Sequence, residues 1–185
     1  MTIDLMTLEL KTERLLGRPM GPADQDDLLR LHNDSRVMAT LSVDGKLLSE
    51  QESSEMLSRC QLHWQENKYG LYAFREKLNG RFVGYSGMKR TNLGDKEEIE
   101  FLHAVLSEDW DKGYATEMGI GVLGWGLQVV GINDLVCFTL PHNQAAHKVM
   151  EKLGFRQERK ITHAGVPHLL YRMHVAKAPV KEPAK

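Results

Sequence analysis

The sequence predicts a single α/β domain of the α+β type: a mixed, largely antiparallel sheet of about seven strands flanked by helices. Three observations lead to it. Two pairs of period-two segments are joined by short turns, Lys77-Leu78-Asn79-Gly80 in one and Ala164-Gly165 in the other, and such hairpins make antiparallel neighbours. Apolar residues at helical spacing recur between the strand-like segments, so helices and strands share one core. The chain has 185 residues, 42% hydrophobic and 26% charged, which suits one globular domain burying roughly 70% of its unfolded surface.

Leu8 to Pro19 alternates well enough for one extended segment, which Pro19 and Gly21 end. A helix follows, with Asp24 as its cap, Leu28, Leu29 and His32 near one face, and Asn33-Asp34-Ser35 as its stop. Ser49 with Glu52 is a capping-box start, and Met56, Leu57, Cys60, Leu62 and Trp64 carry that helix to about Asn67. Tyr69 to Glu76 and Arg81 to Met88 form the first hairpin. The acidic stretch Asp95 to Glu98 leads into a strand from Ile99 to Leu106, in which Glu100, Leu102 and Ala104 face one way and Phe101, His103 and Val105 the other. A long helix spans about Gly113 to Val130, followed by a short apolar strand, Leu135 to Thr139. The helix Asn143 to Leu153 is closed by Gly154, and Arg156 to Thr162 with His168 to Val175 make the second hairpin. The domain thus runs from residue 1 to 175. Ala176 to Lys185, rich in Lys, Pro and Ala, is expected to be a disordered tail.

Charge balance narrows the function. With 24 Lys plus Arg against 25 Asp plus Glu and a pI near 6.7, nothing attracts the whole chain to nucleic acid or an anionic membrane. No apolar run approaches the roughly 20 residues of a membrane span, and the N-terminus lacks a basic segment followed by an apolar one. Cys60 and Cys137 lie inside apolar periodic segments, as reduced core residues of a cytoplasmic protein would. The eight histidines show no metal-ligand spacing, so no metal is expected.

Gly119-Ile120-Gly121-Val122-Leu123-Gly124 matches the G-x-G-x-x-G dinucleotide fingerprint, but its context fails. That motif follows a buried strand, whereas Asp109 to Met118 is polar and charged. The glycines instead thin a helix so that strands or a ligand can approach it, at roughly 1 kcal/mol each relative to alanine. The stronger signal lies just upstream, in Trp110-Asp111-Lys112-Gly113-Tyr114-Ala115-Thr116-Glu117, a turn opening directly into a helix. Free amides and the positive dipole end at a helix start bind phosphate groups; Gly113 lets the backbone approach and Lys112 adds charge.

This octapeptide resembles the acetyl-CoA pyrophosphate loop of the GCN5-related N-acetyltransferases (GNAT), in the RimJ/RimL-type branch whose loop reads W-G-K-G-Y-A-T-E. Three further segments agree in order and spacing. Thr12 to Pro19 resembles the branch's T-E-R-L-x-L-R-P opening, Glu100 to Val105 sits where its strand E-I-G-Y-W-I lies, and Asn143 to Phe155 resembles its N-x-x-S-x-x-x-M-E-K-L-G-F helix. The likeness spans about Leu8 to Met173. That branch includes enzymes that acetylate the N-terminal amines of ribosomal proteins.

The resemblance implies acetyl transfer from acetyl-CoA to a primary amine by direct attack, without an acyl-enzyme. It implies a break in pairing between the strand ending at Leu106 and that of Leu135 to Thr139, leaving a gap for pantetheine. A backbone amide near Val105 and Leu106 would polarise the thioester oxygen. The loop Asp111, Lys112, Gly113, Tyr114, Ala115 and Thr116 would hold the pyrophosphate, and Asn143 would hydrogen-bond pantetheine or acceptor. The attacking amine must be neutral, which at pH 7 costs roughly 1 to 1.4 kcal/mol for an α-amine and about 4.6 for a lysine. Glu100 is the first candidate for the base, directly or through a water, because Phe101 and Leu102 could raise its pKa by desolvation; His103 is the second.

Three departures from the branch stand out. Asp111 replaces the first loop glycine, Ala146 stands at the usual serine, and Met150 at the position where other branches carry the tyrosine that protonates the departing thiolate. His142 and His147 lie close by as substitutes. The acceptor is open: a protein or peptide N-terminus, or a small molecule such as an amino acid, polyamine or antibiotic. A reading of another class is a CoA-binding domain with weak catalysis. Acceptor pockets in such folds fall here at about Leu28 to Leu48 and Lys160 to His168, and apolar residues on the C-terminal strands could pair two copies.

Overall fold

The computed structural model describes residues 2–4 and 8–175. Its centre is a nine-stranded sheet in the order β1-β2-β3-β4-β5-β6-β7-β9-β8. The strands are β1 (Thr2–Asp4), β2 (Glu9–Lys11), β3 (Leu15–Pro19), β4 (Leu71–Glu76), β5 (Phe82–Leu93), β6 (Lys96–Val105), β7 (Asp134–Thr139), β8 (Arg156–His163) and β9 (Val166–His174). Every neighbouring pair is antiparallel except β6 and β7, which are parallel and meet at one register pair, Glu100 with Val136. Helices α1 (Gln25–His32), α2 (Ser35–Leu41) and α3 (Glu50–Asn67) lie on one side, and α4 (Tyr114–Trp125) and α5 (Gln144–Lys152) on the other. The residues expected to disorder from Ala176 lie outside the described residues.

Alternation along the strands divides the core. Leu71 and Ala73 of β4, Tyr85 of β5 and Ala104 of β6 pack with Leu28, Leu31, Val37, Leu57 and Cys60 of α1–α3. Tyr72, Phe74, Met88, Phe101, Val105, Leu135 and Cys137 pack on the other side with Met118, Val122 and Trp125 of α4 and Met150 of α5. The two faces expected for β6 are therefore the two observed. In α4, Gly119 sits in the helix interior, where close approach requires it. A methyl group at Gly119 would come within 2.5 Å of Leu153 Cδ1 and 3.2 Å of Phe101 Cζ.

The larger strand count has local causes. The opening segment folds back on itself because the Thr12 hydroxyl and the Leu15 backbone exchange hydrogen bonds of 3.1 and 3.2 Å, closing a turn between β2 and β3. Asp34, expected within a helix stop, starts α2: its carboxylate accepts from the amides of Arg36 and Val37. The acidic run before Ile99 lies within a strand, since Gly94 at φ +65° turns β5 into β6 and extends that hairpin to Leu93 and Lys96. The Ser49–Glu52 capping box forms as expected, but Leu62 points outward and is 53% exposed. Strand β8, at the sheet edge, presents exposed Arg156, Glu158, Arg159 and Lys160.

Candidate active site

The site begins where the sheet comes apart. Beyond Glu100 and Val136, β6 and β7 share no further register pair, so a wedge opens between them. The Leu106 amide is committed to the sheet, donating to the Val83 carbonyl at 3.0 Å. Successive residues of a strand direct their amides to opposite edges, so the Val105 amide faces the wedge. The carbonyl of Val105 accepts from the Trp110 indole Nε1 at 2.9 Å, which ties the wedge to the loop that follows.

That loop runs Trp110-Asp111-Lys112-Gly113 into α4. Gly113, at φ +81°, is the N-cap and supplies no side-chain cap. The first helical bond in this turn is donated by the Glu117 amide to the Gly113 carbonyl at 3.1 Å. The amides of Tyr114, Ala115 and Thr116 therefore lack helical acceptors and point out of the helix start together, as an anion site requires. Asp111 is exposed at φ +60°, a conformation that glycine adopts without strain and that Asp tolerates better than most residues. Lys112 does not stand free: its ammonium is drawn back to Asp109 Oδ1 at 2.7 Å, and that pairing raises its pKa.

Two clamps that the sequence reading missed fix the loop. Glu117 accepts from the Thr12 hydroxyl at 2.6 Å, from the Arg14 amide at 2.7 Å and from Arg14 Nε at 2.7 Å. Arg14 also donates to the Lys112 carbonyl at 3.0 Å and lies over the Tyr114 ring. The Thr12-Glu13-Arg14 opening and the terminal Glu of the loop motif are thus two halves of one contact. On the other side, Tyr114 donates its hydroxyl to Glu76 at 2.8 Å, while Arg81 binds both Glu76 and the buried Asp109. The Glu76 carboxyl, held by Arg81, Tyr114 and Asn79, is lowered to about 2.

Glu100 lies at the apex of the wedge, on the face of the sheet covered by α1–α3. It is 6% exposed, and burial pushes its carboxyl above the ordinary range against the opposing pull of Lys89. Its Oε2 accepts no hydrogen bond among the described residues. The face continues through Val136 to Phe138, whose ring lies 4.6 Å from that of His163 and 5.7 Å from that of His168, centroid to centroid. This is the β8–β9 end of the expected acceptor region. His103 is on the opposite face beside Phe101, with its pKa lowered by burial to about 4. A base so weak has little driving force for taking a proton at neutral pH, so the geometry favours Glu100.

Asn143 caps α5. Its Oδ1 accepts from the Ala146 amide at 3.1 Å, and its Nδ2 donates to the Thr40 carbonyl and the Thr139 hydroxyl. The side chain thereby joins α2 to the far wall of the wedge, and its amide hydrogens are already engaged. Met150 is fully buried, and His147 is buried as well, with Nδ1 unpartnered among the described residues. His142 is exposed near the Ala39 carbonyl. No cluster of three or more potential metal ligands occurs among the described residues.

The site thus joins an open wedge to a bare helix start, and comparison with known proteins places the chain in a family. Residues 14–156 match the acetyltransferase (GNAT) domain, so the chain belongs to the GNAT acetyltransferases. It is 25% identical to the uncharacterised Bacillus subtilis protein YkkB over 88% of this chain and 94% of YkkB. It is 21% identical to the uncharacterised N-acetyltransferase YoaA of the same organism, over 80% of this chain and 83% of YoaA. Among solved structures, an acetyltransferase from Agrobacterium tumefaciens matches with a TM-score of 0.78 at 20% identity, covering 95% of this chain and 96% of that one. RimL, a ribosomal L7/L12 alpha-N-protein acetyltransferase solved in complex with coenzyme A, matches with a TM-score of 0.76 at 15% identity, covering 90% and 98%. These likenesses share the fold.

Proposed function

We propose that the protein transfers acetyl from acetyl-CoA to a primary amine by direct attack, the acceptor being the α-amine of a protein or peptide N-terminus. The observation that carries this reading is the row of uncapped amides at Tyr114, Ala115 and Thr116, tied through Trp110 to the wedge that the Val105 amide faces. These groups fit the cofactor: the helix start receives the pyrophosphate together with the amides of Lys112 and Gly113, and the wedge admits a narrow arm. When bound, acetyl-CoA supplies the thioester carbonyl that the amine attacks. The Val105 amide is the donor placed for that carbonyl oxygen. Asp111 and the withdrawn Lys112 ammonium leave most of the anion binding to backbone amides and the helix dipole.

Glu100 takes the proton from the acceptor ammonium, through a water where the buried carboxyl is not reached directly. An α-amine asks the least of such a base, since its neutral form lies only about 1 to 1.4 kcal/mol uphill at pH 7. The RimL likeness supports a protein N-terminus, and a small-molecule amine is the second acceptor class to assay. Two buried free thiols, Cys60 and Cys137, suit a reducing cytoplasm. Calorimetric titration with acetyl-CoA tests the cradle. Saturable binding is expected, and no heat at high micromolar ligand would overturn both the enzyme reading and a binding-only one.

A further inference from the structure

We propose that Lys89 is a positioning residue of the acceptor site, whose ammonium, held across the β5–β6 pair, keeps Glu100 in the ionised form that receives the acceptor's proton. The inference rests on the reading of Glu100 as base. Register sets Lys89 directly opposite Glu100, with both side chains on the α1–α3 face. Lys89 Nζ lies 3.3 Å from Glu100 Oε2, an ion-pair distance, so its charge acts on the carboxylate directly. A carboxylate has about four lone-pair sites, so the pairing leaves others able to accept from the incoming ammonium or water.

The surroundings give Lys89 this task largely alone. Glu100 is faced by Tyr85 and Thr91 from β5 and by His168 from β9, with the Cys137 thiol of β7 nearby on the opposite face; His163 on β8 and Cys60 on α3 lie close enough to feel Lys89. Among them Lys89 carries the permanent positive charge. Burial alone would favour the protonated acid, which cannot act as a base, and the lysine opposes it. The Lys89 side chain stays 45% exposed while that of Glu100 is buried, so the charge sits at the boundary between the carboxyl and solvent.

The test is a pH titration of protein labelled with carboxyl-13C glutamate, read by NMR, with Glu100→Gln assigning the Glu100 signal. A pH profile of kcat/KM is run alongside. In Lys89→Met, the Glu100 titration and the acidic limb of the rate profile should move together to higher pH, so that rates on the limb fall about threefold or more relative to the plateau. Lys89→Arg should hold both near their wild-type positions, which a side chain needed only for packing would not require. An unmoved Glu100 titration in Lys89→Met overturns the inference while leaving Glu100 as base. A limb that survives in Glu100→Gln overturns the base reading, and the inference falls with it.

Discussion

Two acidic residues do opposite things in this site, and their environments say why. Burial pushes the Glu100 carboxyl above the usual range, against the pull of Lys89. The activity proposed for it as a base is therefore expected at high pH and lost as pH falls through that raised pKa. Glu100→Gln is expected to lower kcat by about 10²-fold or more and to remove the acidic limb, as stopped-time thiol release across pH would show. Asp111 is exposed, in a left-handed backbone conformation, in the loop expected to meet phosphate. Asp111→Gly removes both the strain, roughly 1 kcal/mol, and a like charge. It should tighten acetyl-CoA binding severalfold by calorimetry, and unchanged or weaker binding would show that the loop is not placed against the anion.

At the level of elements, the helix start of α4 is held from both sides by groups distant in sequence. Thr12 reaches Glu117 across 105 residues, and Tyr114 reaches Glu76 across 38. Glu117→Gln keeps the side-chain shape but loses the charge that Arg14 binds. It should raise KM for acetyl-CoA several-fold with KM for the amine unchanged, because the clamp holds the loop proposed to bind the cofactor and not the proposed acceptor face; equal changes in both would contradict this. These clamps also mark what the sequence could and could not display. The loop, the Ser49–Glu52 box and the Gly154 helix end are local patterns, legible in a few residues. The Thr12–Arg14–Glu117 contact needed the tertiary structure to show that two matched motifs touch. The Lys89–Glu100 pairing was hidden because the polar run before Ile99 read as a lead-in, which obscured the length and register of the β5–β6 hairpin. Asp34 was misread for a related reason, since residues that end one helix can also cap the next.

For the whole molecule, the buried titratable groups set how stability depends on pH. His32 and His103 are both held neutral by burial, with pKa lowered to about 4 from 6.5. The unfolded chain takes up these protons first, so the contribution of these two histidines is full above about pH 6.5 and is lost as pH falls toward 4. Glu76, lowered to about 2 from 4.5, acts in a lower window: its contribution is present above 4.5 and is lost as pH falls toward 2. Calorimetric Tm should therefore begin to drop below about pH 6.5, and His32→Leu should flatten the first part of that decline. An identical slope in the variant would show that His32 is not among its sources. The proposed cofactor site also fits a near-neutral chain. Backbone amides at one helix start would supply the binding charge, so an anionic cofactor requires no basic excess.

The most direct test of the account is CoA-thiol release from acetyl-CoA over a panel of peptide N-termini, lysine peptides and small amines, with wild-type protein and Glu100→Gln in parallel. The account predicts release above the uncatalysed rate with an amine acceptor, strongest for a peptide α-amine and largely lost in the variant. Acetyl-CoA binding without turnover on any acceptor, or turnover that Glu100→Gln leaves intact across pH, would contradict it.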